Sequence, residues 1–293
     1  DADKKNNKMP ASISANDLYQ KYYGRTLDSE SEVNPSGLLK YKQKINHSLS
    51  GILGFAYISR TADASERAIA NQSSLGNWVG NPGIDPERHK QLQLGVGYEK
   101  DDYNLELLAF YNSVDDYILR DKARGQEGIL QNDGADIYRN IDAELMGFNF
   151  KSEINFAKNL TGKLNFNYTY GENKDSDAAL PQIAPFSGNF GLEYQANKFL
   201  TGLRSRFALK QNRADTDKNT GTGRDVQETP GYAVLDLFAS YQLVSNLNLN
   251  FGVSNLFDKN FANHLNRNNG FDPTEIQVNE PGRALIFSVS GWL

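Results

Sequence analysis

Apolar and polar residues alternate along most of this chain. Leu164-Asn165-Phe166-Asn167-Tyr168-Thr169-Tyr170 alternates without a break, the period-2 signature of a strand whose two faces meet different surroundings. Just upstream, Met146, Phe148, Phe150, Ile154 and Phe156 are interleaved with Asn149, Lys151, Glu153 and Asn155. The same pattern recurs at Leu92 to Tyr98, Leu105 to Tyr111, Phe186 to Tyr194, Leu203 to Leu209, Leu235 to Tyr241, Leu247 to Val253 and Leu285 to Val289. With segments at Ser36 to Ile45 and Leu49 to Ser59, it predicts about eleven strands. Each is close to the roughly 9 to 11 residues that a tilted strand needs to cross a bilayer.

The connections alternate as well. Tight links at Asn46-His47-Ser48, Lys100-Asp101-Asp102, Ala157-Lys158-Asn159, Ala196-Asn197-Lys198 and Val244-Ser245-Asn246 are interleaved with long polar stretches. The long stretches run Arg60 to Lys90, Arg120 to Asp136, Gly171 to Leu180, Asn212 to Thr229 and Asn263 to Glu280. Short turns at one end and long loops at the other are the arrangement of an outer-membrane barrel, with the long loops outside the cell. No linker divides the chain; the expected organisation is an extracellular loop region over 1–33, then barrel strands and loops over 34–293.

Energy decides which face meets lipid. Arg204 and Arg206 in hydrocarbon would each cost roughly 2 to 4 kcal/mol, so both are expected to face the lumen. The same reasoning sends Lys163, Lys151 and Glu153 inward, and Met146, Phe166, Tyr168, Leu203 and Phe207 towards lipid. Tyr98, Tyr194 and Tyr241 each stand a few residues before a short turn, where a ring would sit at the headgroup boundary. The competing explanation is a soluble barrel or sandwich in which these are ordinary cross-strand aromatics.

Composition sharpens this without overturning it. A mean hydropathy of -0.61 and the lack of an apolar run near 18 residues exclude membrane helices, but an alternating barrel satisfies its own backbone and looks polar on average. The 15 Tyr and 16 Phe against 2 Met, with 25 Gly, favour β structure. With 0 Cys there is no disulfide framework and no thiolate metal site in this chain. A net charge of -5 argues against a nucleic-acid partner. The opening DADKKNNKMPASISANDLY has no apolar stretch of the kind a secretion signal carries, and reads as a loop.

The last 43 residues contain Asn255-Leu256-Phe257-Asp258-Lys259 and Pro281-Gly282-Arg283 ahead of an alternating final strand. They resemble the C-terminal end of TonB-dependent outer-membrane receptors. Gly80-Asn81-Pro82, Asp85-Pro86-Glu87 and Gln91-Leu92-Gln93-Leu94-Gly95 are similar to a mid-barrel passage of the same family, so the resemblance covers nearly the whole chain. Asn263-His264-Leu265-Asn266-Arg267 and Asn279-Glu280-Pro281-Gly282-Arg283 look most like its copper-receptor branch. The final Leu293 departs from the aromatic residue with which such strands usually end.

This resemblance implies an all-β, antiparallel transmembrane barrel in the bacterial outer membrane, about 22 strands around an N-terminal plug. On that reading the chain is the C-terminal half. Its implied partners are the plug and the first barrel half, the TonB complex and outer-membrane lipid. The implied function is active import of a scarce nutrient, copper ahead of a ferric siderophore; a passive porin is the rival, set aside by the C-terminal signature. No enzyme is implied, since the loop acids Asp85, Glu87, Asp272 and Glu275 have no nucleophile motif beside His89 or His264.

Copper favours thiolate, thioether and imidazole donors, and this chain has few. Met146 falls on the lipid face, Met9 in the leading loop and His47 in a short turn. His89 and His264 belong to long loops, where they are either first-capture ligands or surface histidines. No cofactor is expected in the chain, copper entering only as cargo. Lys163, Arg204 and Arg206 suit an anionic chelate or, as the preferred reading, an acidic plug surface.

Overall fold

Each alternating segment becomes one strand, and neighbouring strands pair antiparallel because the short links allow only a hairpin return. The structure is a computed structural model that describes residues 14–28, 31–73, 76–268 and 276–291. Met9, Asp272, Glu275, Trp292 and Leu293 lie outside the described residues. In chain order the elements are α1 (Ala15–Tyr23), β1 (Gly37–Lys44), β2 (Leu49–Arg60), α2 (Ala64–Ala68), β3 (Ala70–Ser73), β4 (Gly76–Val79), β5 (Glu87–Lys100), β6 (Tyr103–Lys122) and β7 (Asp136–Ala157). There follow β8 (Leu160–Asn173), β9 (Ala178–Ala179), β10 (Ser187–Ala196), β11 (Phe199–Ala208), β12 (Tyr232–Val244), β13 (Leu247–Ser254) and β14 (Ala284–Gly291).

The main path is a meander of eleven strands, β1-β2-β5-β6-β7-β8-β10-β11-β12-β13-β14, while β3, β4 and β9 belong to the long connections. The five expected tight links all appear as hairpins, and Asp101 and Asn197 turn the chain at positive φ (44° and 50°), a conformation that Asp and Asn tolerate better than most residues. Because eleven is odd and every step on the path is antiparallel, β1 and β14 run in the same direction. Neither could close directly on the other by an antiparallel ladder, and both are exposed along their whole length.

Register sorts the residues by face. Phe148 stands opposite Tyr168 and Phe150 opposite Phe166, with ring centroids 6.1 and 5.9 Å apart, while Asn149 faces Asn167 on the other side. Phe55, Leu94 and Phe251 on the apolar face are 50%, 54% and 52% exposed. That exposure rules out the soluble sandwich, which would bury this face as its core. The three buried apolar clusters among the described residues instead lie at the long-connection end.

That end is more built than the polar stretches predict. β6 and β7 run for 20 and 22 residues, well beyond the length needed to span, with a bulge between Val114 and Tyr117. Above the bulge Ile118, Leu119, Ile137 and Ile141 are buried on both sides of the hairpin, so the alternation that marks a half-exposed strand is lost. Part of the leading stretch, Ala15–Tyr23, is a helix where a loop is expected: Ser14 and Asp17 form a capping box, and Gly24 ends α1 in the left-handed region.

Candidate functional site

The long connections are held together from α1 outward. The Tyr19 hydroxyl donates to the Ala68 carbonyl (2.6 Å), Tyr22 to Asp133 Oδ2 (2.6 Å) and Tyr23 to the Val79 carbonyl (2.7 Å). One short helix thereby clamps the β2–β5 and β6–β7 connections. Their apolar contact, with Leu18, Tyr19, Tyr22, Val79 and Ile137 all but sealed, supplies the burial that a nine-residue helix needs to stay folded.

Against this platform, the top of the β6–β7 hairpin and the connections before β10, β12 and β14 enclose a polar cavity of about 740 Å³. Arg120 and Lys122 reach it from β6, Asp136 from the start of β7, and Gln182, Arg224 and Arg267 from the later connections. The carboxylate of Asp136 is 2.7 Å from Arg120 Nη2, 2.9 Å from Lys122 Nζ and 4.0 Å from Arg224 Nη1. The Arg120 guanidinium carbon also lies over Trp78, 3.9 Å from the ring centroid, a cation–π contact that gives it a second anchor besides the acid. Burial by itself would raise the pKa of Asp136, but the bonds from Lys122 and Arg120 pull it below the usual carboxylate range. Burial and the nearby Arg120 lower that of Arg224. Three cations thus share one carboxylate, a positive surplus facing an open cavity, which suits a multiply charged anion.

The histidines take other roles. His264 is buried: its Nδ1 is 2.8 Å from Thr229 Oγ1, and its Nε2 stands 3.5 Å from Asp225 Oδ1. Thr229 in turn donates to Gln277 Oε1 (3.1 Å). His89 sits between Glu87 Oε2 and Asn112 Nδ2, each 3.0 Å away. Glu87 opens β5 above the span; burial would raise its pKa, but Arg60, His89 and the Ile118 N–H outweigh that and bring it down to about 2. His47 lies in the hairpin between β1 and β2, at the other end of the strands from both. Among the described residues no three His, Cys, Asp or Glu side chains are placed to share a metal ion.

Lys163, Arg204 and Arg206 all fall on the polar face of the sheet. Lys163 Nζ pairs with Glu193 Oε2 at 2.9 Å, Arg206 Nε with Asp236 Oδ2 at 3.2 Å, and Arg204 lies over Phe238, 5.9 Å from the ring centroid. Each is held by its own cross-strand neighbour, and none lines the cavity. The cavity residues give little sign in the sequence. Arg120, Lys122 and Asp136 fall in a stretch that reads as loop, and the one local hint is the two cations at alternate positions on the end of β6.

A family model described as TonB dependent receptor-like, beta-barrel, matches residues 7–256. The chain is 29% identical over 222 residues to the ferric enterobactin receptor PirA of Pseudomonas aeruginosa, covering 72% of this chain and 29% of that protein. It is 28% identical over 203 residues to the heme/hemopexin utilization protein C of Haemophilus influenzae, covering 64% of this chain and 27% of that protein. Its structure is similar to the copper transporter OprC with a TM-score of 0.77 and 28% identity, over 88% of this chain and 40% of that one. The chain therefore spans less than a third of the length of these curated relatives.

Proposed function

Since this chain belongs to the TonB-dependent receptor family of bacterial outer-membrane β-barrels, we propose that it serves a receptor importing an anionic metal chelate, energised through TonB. The observation that carries the choice of cargo is the cavity, where Arg120, Lys122 and Arg224 share the single carboxylate of Asp136 at the long-connection end. A ferric siderophore with acidic donors has the matching charge, and the relationship to a ferric enterobactin receptor agrees with it.

The family is one of transport receptors, which agrees with the expectation that the chain is no enzyme. The partners in this proposal are a plug and further barrel strands, the TonB complex and outer-membrane lipid. Residues 1–33 are assigned to an extracellular region and 34–293 to barrel strands and loops; the clamp that α1 places on the long connections supports this. Lys163, Arg204 and Arg206 are assigned to the lumen because they share the face opposite the exposed apolar residues.

Copper is the second reading, favoured by the likeness to the copper transporter OprC. In this chain it would rely on few soft donors: Met146 lies on the apolar face, His264 is buried, and His89 is engaged by Glu87 and Asn112. Titrating the intact receptor with a ferric catecholate siderophore and, separately, with Cu²⁺ decides between them. Siderophore binding that weakens when Arg120 and Arg224 are replaced by Ala supports the chelate. Tight Cu²⁺ binding with no affinity for any ferric chelate overturns it in favour of copper.

A further inference from the structure

We propose that Asp136 is the specificity-determining residue of the cavity: a tethered carboxylate that competes with neutral and singly charged ligands for the cations and so favours multiply charged anions. The inference rests on the chelate reading of the same site. Asp136 already gives Arg120 and Lys122 the close contacts, 2.7 and 2.9 Å, that a ligand carboxylate would give them. Being part of the chain, it competes at an effective concentration on the order of millimolar or more, which a monoanion in solution does not match. What it leaves unsatisfied is the surplus: Arg224 is 4.0 Å away, and Arg267 also lines the space. Each negative charge on a ligand gains from that surplus, so a ligand that brings several at once gains most.

Arg120 has a second anchor besides Asp136, and the backbones that carry Lys122 and Arg224 are fixed apart from it. Arg120 lies over Trp78, Lys122 is paired through its backbone with residue 136 across the β6–β7 ladder, and Arg224 belongs to the β11–β12 connection. Exchanging the carboxylate for an amide of the same shape therefore removes a competitor and one negative charge while the cationic walls remain.

The test uses two ferric chelates of similar size and octahedral oxygen geometry, a tris-catecholate carrying three negative charges and a neutral trihydroxamate, titrated into the intact receptor. Wild type is expected to bind the trianion and to reject the neutral chelate. Asp136→Asn is expected to bind the trianion about tenfold more tightly at low salt, with a steeper loss of affinity as salt is added. Asp136→Glu, which keeps the charge, is expected to behave as wild type, and this guards against reading a folding defect as a charge effect. If Asp136→Asn weakens trianion binding while Asp136→Glu does not, Asp136 is a scaffold for the cations and the proposal is wrong. Unchanged affinity in both variants also overturns it. A wild-type receptor that binds neither chelate overturns the parent reading instead.

Discussion

The imidazole of His264 and the carboxylate of Asp225 face each other at 3.5 Å with both side chains almost wholly sealed from solvent, tying the β13–β14 connection to the β11–β12 connection. Asp225 also accepts the N–H of Gln182 at Oδ1 (2.8 Å) and that of Asp215 at Oδ2 (2.7 Å). Gln182 and Arg224 line the cavity, and Leu265 to Asn268 follow His264 into its wall. One buried acid thus fixes three connections whose next residues form the candidate site.

Asp225→Ala leaves two buried backbone donors without their acceptor and removes the carboxylate facing His264, a loss on the order of 3 kcal/mol. It is expected to act locally. Limited proteolysis should cut between Gln211 and Thr229 faster than in wild type, while the melting of the barrel is little changed; equal cleavage rates would show that the knot carries no such load.

Glu87 predicts an acid sensitivity of the same region. Its pKa is lowered in the folded state, from an ordinary 4.5 to about 2, so its stabilising contribution is complete above the unfolded value and is lost as pH falls through that window. Hydrogen exchange of the Ile118 amide, which donates to Glu87 Oε1 at 2.9 Å, should speed up relative to its neighbours as pH is lowered towards 3. In Glu87→Gln this acid-dependent change should disappear.

Tyr22 joins α1 to the platform through a donated bond to Asp133 and an accepted one from Asn77 Nδ2 (2.6 and 2.7 Å). Burial first, and then the Asp133 carboxylate, push its hydroxyl pKa up to about 12. Tyr22→Phe keeps the ring and removes both bonds, so a loss of about 1 to 2 kcal/mol is expected, read as faster exchange of the Leu130 amide that bonds the Tyr22 carbonyl. Unchanged exchange would mean that the ring alone holds the helix.

The two faces of the sheet should tolerate charge unequally. Phe166→Arg places a guanidinium on the apolar face and is expected to cost roughly 2 to 4 kcal/mol in a bilayer, whereas Asn165→Arg, one residue away on the polar face, should cost little. Folding yield of the intact receptor into lipid vesicles measures both, and equal yields would contradict the assignment of the faces.

The strands, their faces and the tight links were legible in the sequence. A strand with unlike environments on its two sides must alternate, and residues such as Phe166 and Asn165 state that alternation locally. The chain also stated its family through short contiguous pieces such as Asn255 to Lys259. The upper parts of β6 and β7 were not legible, because burial on both faces at Ile118, Leu119 and Ile137 erases the period that reveals a half-exposed strand. The cavity was hidden for a different reason. Arg120, Asp136, Gln182, Arg224 and Arg267 come from separate segments, and nothing local to any of them says that they converge. His264 carries the same lesson in reverse: in sequence it is a polar loop residue, and only the folding of one connection over another seals it against Asp225. Local periodicity determined what each segment becomes, while the meeting of distant charges around one space depended on how the long connections pack together.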